Sequence, residues 1–305
     1  MKSLDAMQIF LRVAELTSFT RAADSLGIPK ATASTAVQQL ETSLGTRLLH
    51  RTTRKVQMTQ DGLAFYERAR DLLADVDELQ SMFQRGAKAL RGRLRVDMSS
   101  GLALHFIIER LPEFLDAHPL IELELSSTDR LVDLVREGFD CVVRVGTLGD
   151  SSLIARPLGV FRVINCASVG YIERHGMPRS LDDLKNHRLI HYVSTLGSRS
   201  PGWEYPDGDG YASLPMAGVL TVNSSEAYRA ACVAGLGLIQ APAAGLQALI
   251  DRGVLVEVLP DHPAEPMPVS LLYAHRRHLP QRAQEFMNWI ARTLAPYLDQ
   301  SVEGG

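Results

Sequence analysis

The residues with the most informative chemistry lie in one short stretch, Lys30 to Leu44, which reads KATASTAVQQLETSL. Ala33, Ala36, Val37, Leu40 and Leu44 recur there at steps of three and four, the spacing of one buried helix face. Lys30, Thr32, Ser34, Thr35, Gln38 and Gln39 then face the other way. No acid stands in the first half of this helix, and Glu41 comes only after three turns. Hydroxyls, amides and a Lys at a carboxylate-free helix start suit phosphates and base edges, and Gln can bond adenine twice. Residues 46–58 follow as TRLLHRTTRKVQM, read as two short strands joined by a basic tip from Arg51 to Lys55. Such a wing suits the DNA backbone or minor groove.

The elements that must hold this face are legible around it. Phe19 to Leu26 forms a second short helix, with Ala22, Ala23 and Leu26 on one side. Gly27-Ile28-Pro29 separates the two. Gly27 permits the positive φ of a tight turn, Pro29 suits the next helix's first turn, and small Ala23 lets the helices cross closely. These are the features of a helix-turn-helix whose second helix enters the major groove. An ordinary helical hairpin with a solvated polar face is the competing reading. Charge argues against it: residues 1–60 carry eight Lys or Arg against four Asp or Glu, a net +4 in a chain of net −3, leaving −7 for the rest. A basic end on an acidic body marks a nucleic-acid-binding module.

The segment resembles the winged helix-turn-helix of the LysR-type transcriptional regulators. The resemblance rests on the opening LDAMQIFLRVAELTSFTRAADSLGI, on Leu40-Glu41-Thr42-Ser43-Leu44-Gly45, on Leu48-Leu49-His50-Arg51 and on Met58-Thr59-Gln60-Asp61-Gly62. It implies double-stranded operator DNA as partner and Lys30, Thr32, Ser34, Thr35, Gln38, Arg51 and Arg54 as DNA contacts. One position departs from the family: Thr35 stands where an Arg usually follows the hydroxyl residue, which removes a guanine or phosphate contact.

At 305 residues the chain needs more than one core. Its 46% hydrophobic and 22% charged content is that of a soluble globular protein, and no apolar run reaches the roughly 18 residues of a membrane span. The first residues are amphipathic and interrupted by Asp5, Arg12 and Glu15, unlike a secretory signal. Cys141, Cys166 and Cys232 are few and far apart, which suits a reducing bacterial cytoplasm, with no disulfide framework, metal site or cofactor expected. Phe65, Ala69, Leu72, Val76, Leu79 and Phe83 follow a heptad seam, which predicts a dimerising coiled-coil helix across 61–86 and a two-fold operator. Residues 84–93, QRGAKALRGR, form a solvated connector.

From Leu94 onward strands and helices alternate, with helices expected over 102–118 and 129–137 and a hairpin or exposed loop over the Gly-, Pro-, Asp- and Ser-rich residues 196–213, which predicts an α/β body with a parallel sheet. The expected organisation is a winged helix-turn-helix over 1–60, a dimerisation helix and hinge over 61–92, and an effector domain over 93–305. Ligands in such folds sit beyond the carboxyl ends of strands. Ser99, Ser100, Ser127, Thr128, Thr147, Asn223 and Ser224 fall at such ends, although each is also a preferred helix-cap type. Arg144, in an apolar strand, needs either an effector anion or a protein acid. An enzyme would place Ser99 or Ser100 beside one of His105, His118 and His191, but no G-x-S-x-G elbow or phosphate loop is present.

The resemblance extends over the whole chain. It implies an effector domain like the periplasmic binding proteins, with one subdomain over 93–161 and 267–305, the other over 162–266, and a cleft between them. It places Ser99, Ser100, Thr128, Thr147, Asn223 and Ser224 in that cleft; since these groups are small and mostly neutral and Arg144 is the one charge partner, the residues themselves point to a small polar or weakly anionic effector. It further implies a nucleoid-associated homotetramer that bends its operator, with RNA polymerase as another candidate partner and no membrane.

Overall fold

The computed structural model describes residues 3–51, 56–81, 90–148, 153–274 and 279–299. The chain divides into two compact units, Met1–Arg93 and Leu94–Gly305. No helix among the described residues is long and apolar enough to cross a membrane.

The first unit runs α1 (Ser3–Leu16), α2 (Phe19–Leu26), α3 (Lys30–Leu44), β1 (Leu49–Arg51), β2 (Val56–Met58) and α4 (Gln60–Ser81). Ser18 caps α2 by accepting the Arg21 N–H, and Gly27 ends it at φ +65° with its own N–H turned back to Ala23 and Asp24. The left-handed turn costs Gly nothing, and it sets the crossing of α3 over α2. Phe10, Val13, Ala22, Ala33, Ala36 and Val37 form the fully buried centre. β1 and β2 pair antiparallel from Leu49↔Met58 to Arg51↔Val56.

Helix α4 turns part of its heptad seam into the first unit's own core. Phe65 packs edge-on to Phe10 with ring centroids 5.5 Å apart, and Ala69 and Leu73 are buried in the same core. Leu72, a predicted seam residue, is 44% exposed. A helix of 3.6 residues per turn that must cover its own domain favours steps of four, so Phe65, Ala69 and Leu73 turn inward together. Phe83 and the Leu79 side chain lie outside the described residues.

The second unit contains β3 (Arg91–Met98), α5 (Ser100–Leu102), α6 (Leu111–Ala117), β4 (Leu120–Ser127), α7 (Leu134–Glu137), β5 (Cys141–Val145), β6 (Ile154–Phe161), β7 (Val163–Ser168) and α8 (Val169–His175). There follow β8 (His191–Tyr192), β9 (Trp203–Asp207), β10 (Gly210–Leu214), β11 (Thr221–Val222), α9 (Ser225–Val233), β12 (Ile239–Pro242), α10 (Ala243–Asp251), β13 (Leu255–Glu257), β14 (Met267–Tyr273) and α11 (Gln281–Leu294). One sheet has the order β4-β3-β5-β14-β6 and another β12-β7-β13. The chain leaves the first after Phe161 and returns to it at Met267.

Three sequence expectations are corrected. The first sheet is mixed: β3 and β5 are parallel, but β14 runs antiparallel to both β5 and β6 because it re-enters from the second sheet. β6 escapes the sequence pattern because Pro157 and Gly159 read as breakers. They are accommodated at an edge, where the pairing shifts register opposite Val269 and Ser270. The single helix expected over 102–118 is instead α5, a π turn (Ala103–Ile107), a 3-10 turn (Ile108–Arg110) and α6. Pro112 has no N–H to continue the ladder, so the preceding turns tighten and widen around it. The helix expected from Asp129 starts only at Leu134, since the Asp129 carboxylate is engaged elsewhere.

Candidate nucleic-acid interface and ligand cavity

In the first unit, α3 separates its faces cleanly. Ala33, Ala36, Val37 and Leu40 are buried, while Lys30, Thr32, Thr35, Gln38 and Gln39 are exposed and Ser34 is half-buried. Its first turn contains no acid, and its N-cap, Pro29, makes no side-chain cap, so the leading backbone N–H groups stay unclaimed by a capping oxygen. Glu41, the one acid of α3, is turned toward the wing. Its Oε1 accepts the N–H groups of Leu48 (2.9 Å) and Leu49 (3.0 Å) and so ties the helix to β1. Thr59 closes the wing from the other side, donating its hydroxyl to the Arg47 carbonyl at 2.7 Å while its N–H bonds Leu48 O at 2.9 Å. The predicted contact Arg51 belongs to β1, but its side chain, like all of Arg54, lies outside the described residues.

The second unit encloses a cavity of about 370 Å³ between elements of its two main sheets. Of the predicted effector contacts, Ser99, Thr128 and Arg144 line it. Ser100, Thr147, Asn223 and Ser224 do not; Thr147 and Asn223 are exposed, and Ser224 caps α9 by accepting the Ala227 N–H. Arg144 faces the cavity from a buried position, yet its guanidinium is already spent. It holds buried Asp97 at 2.5 Å and donates to the carbonyls of Val143 and Arg130. Burial raises the Asp97 carboxyl above its ordinary range, against the lowering pull of the Ser126 hydroxyl and of Arg144.

Sequence reasoning missed the residues that join the two walls. Asp129 accepts the Ser100 N–H at 2.9 Å with one oxygen, and the Ser225 N–H (2.6 Å) and hydroxyl (2.9 Å) with the other. The Ser225 hydroxyl also accepts the Gly101 N–H at 3.1 Å, and His105 Nε2 meets Glu226 at 2.8 Å. Glu226 in turn holds Arg229 at 3.0 Å. Asp129 read as a helix start because Asp is a cap type; only the approach of Ser100 and Ser225, 29 and 96 residues away, reveals its role.

Aromatic rings furnish the rest of the lining. Phe106 stacks on Phe161 at 5.6 Å, and Tyr192 tilts against Tyr228 at 5.7 Å. Desolvation pushes Tyr192 up to about 12 and Tyr228 higher still, so both remain neutral phenols at physiological pH. Gln240 braces β9, accepting the Glu204 N–H and donating to the Glu204 carbonyl, both at 2.8 Å. Cys141, Cys166 and Cys232 are buried, and burial drives the Cys166 and Cys232 thiols up to about 12, which makes them inert as nucleophiles. Among the described residues no group of His, Cys, Asp and Glu is arranged to hold a metal.

Residues 4–63 match the family described as bacterial regulatory helix-turn-helix protein, lysR family. Residues 87–295 match the LysR substrate binding domain. The uncharacterized HTH-type transcriptional regulator YhjC of Escherichia coli is 47% identical over 98% of this chain and 100% of its own length. An HTH-type transcriptional repressor of Pseudomonas aeruginosa is 37% identical over 97% of this chain and 93% of its own. Among solved structures, CrgA of Neisseria meningitidis superimposes with a TM-score of 0.60 at 28% identity, over 95% of this chain and 98% of that one.

Proposed function

The chain belongs to the LysR-type transcriptional regulators, and from that premise we propose that α3 and its wing read an operator while the cavity of the second unit takes the ligand that controls the outcome. It is a DNA-binding regulator with an effector-binding domain, not an enzyme. The observation that carries the residue assignment is the polar, acid-free outward face of α3. Lys30, Thr32, Ser34, Thr35 and Gln38 make the groove contacts, and Arg51 and Arg54 the wing contacts.

A homodimer formed through residues 61–86 sets two recognition helices on two half-sites, and a further pairing gives a tetramer able to contact RNA polymerase. The protein acts in the bacterial cytoplasm, on the nucleoid. Ligand acts by its different affinity for two arrangements of the walls around the cavity, and can shift output by no more than that difference. The test is a footprint on the DNA upstream of the protein's own gene, taken as a salt series. A protected two-fold site that fades steeply with salt is expected. Equal protection of random DNA at every salt concentration would overturn the reading.

A further inference from the structure

The charge pattern of the cavity identifies the chemistry of its ligand, given the reading of this cavity as the effector site. Five charged side chains line it: Asp129, Arg144, Glu204, Glu226 and Arg229. Four are engaged within the protein. Arg144 is held by Asp97, and Glu226 by Arg229. Arg229 Nε is buried and has no hydrogen-bond partner among the described residues. Asp129 fills the place where two converging backbone N–H groups, those of Ser100 and Ser225, would otherwise attract an anion.

Glu204 is the exception. Its backbone is fixed by Gln240, but among the described residues its carboxylate has no hydrogen-bond or ion-pair partner. Desolvation raises the Glu204 carboxyl, and the acid Glu265 adds to the rise. Gln240 links Glu204 to the aromatic pair: its side chain holds the Glu204 backbone while its own N–H donates to the Tyr228 hydroxyl at 3.1 Å, and Glu204, Tyr192 and Tyr228 all line the cavity. A desolvated carboxylate in a cavity that also holds aromatic rings favours a cation, and an incoming carboxylate would find its cradle taken and a like charge in the same cavity.

We propose that the ligand carries a positively charged nitrogen, an ammonium or amidinium on an apolar body, with Glu204 as its counter-charge and Tyr192 and Tyr228 as its aromatic walls. The Phe106–Phe161 side of the cavity takes the apolar body.

The experiment is isothermal titration of the full-length chain with phenethyl, cyclohexylmethyl and butyl bodies, each as ammonium, carboxylate and alcohol at matched ionic strength. The ammonium member of at least one set is expected to bind about tenfold or more tighter than its carboxylate. Glu204→Gln removes that preference, and Glu204→Asp, which keeps the charge, retains most of it. Carboxylates binding as tightly as ammoniums, or a preference that survives Glu204→Gln, would overturn the proposal and leave the effector reading intact. Failure of every ammonium probe to bind would likewise overturn the proposal.

Discussion

Gly62 stands in the first turn of α4, and the Leu48 carbonyl approaches it so closely that a Cβ there would lie 1.9 Å from the oxygen. That carbonyl cannot retreat, because it accepts the Thr59 N–H while the Leu48 N–H is fixed on Glu41. A side chain at Gly62 therefore pushes backbone against backbone at the joint between wing and helix. Gly62→Ala should cost about 3 kcal/mol, the upper end of overpacking penalties, and loosen DNA binding through the wing. Gly170, in α8, has nothing within 4 Å of the corresponding point. Gly170→Ala should be neutral or stabilising by up to about 1 kcal/mol, as helix propensity alone dictates. Denaturant titration of the two variants side by side checks both; equal losses would show that the close approach at Leu48 is not the cause.

At the scale of the element, α3 is a helix whose apolar stripe is narrow because it is made mostly of Ala. Ala33 and Ala36 let it sit close on its neighbours, and the rest of its circumference stays outside. The exposed face carries a single cation, Lys30. If Lys30 meets a phosphate, Lys30→Ala lowers the slope of log affinity against log salt by about 1, with little change in sequence preference. Thr35→Arg, which introduces the cation that the family pattern has at this place, should raise that slope by about 1, or sharpen preference for guanine if the new side chain reaches a base edge. Binding isotherms at four or more salt concentrations distinguish these outcomes, and an unchanged slope in both variants would place α3 away from the DNA. Helix α4 shows the opposite economy. Its inward residues Phe65, Ala69 and Leu73 belong to the first unit's core, and Leu72 is left exposed.

The molecule as a whole holds separate cores, and its stability should report that. Phe10 is fully buried at the centre of the first unit, against Phe65 and the Ala-rich faces of α2 and α3. The second unit has its own clusters, one around Ile164, Cys166 and Ile239 and another around Tyr171, Trp203 and Leu238. Phe10→Ala should remove about 3–5 kcal/mol from the first unit, lowering its thermal transition and leaving that of the second within a degree or two. Calorimetry of the full chain checks this. A single transition that shifts as a whole would mean the two units unfold together.

The sequence by itself determined the helix-turn-helix, the wing over residues 46–58, the α/β character of the remainder and the family. Those features are local: Gly27, the steps of Ala33, Ala36, Val37 and Leu40, and the basic run before Val56 act within a few residues of one another. The tertiary structure alone decided the direction of β14, the inward turn of Leu73 and the identity of the cavity wall. Glu204 sits in a Gly- and Pro-rich stretch that reads as a hairpin or exposed loop; the structure makes it a hairpin, and Glu204 becomes part of the cavity wall because Gln240 grips β9. Asp129 looks like a helix cap until Ser100 and Ser225 converge on it. Propensity and periodicity report what a residue does to its own neighbours. A cavity is made by residues far apart in the chain, and their meeting is fixed by packing, which no short stretch encodes.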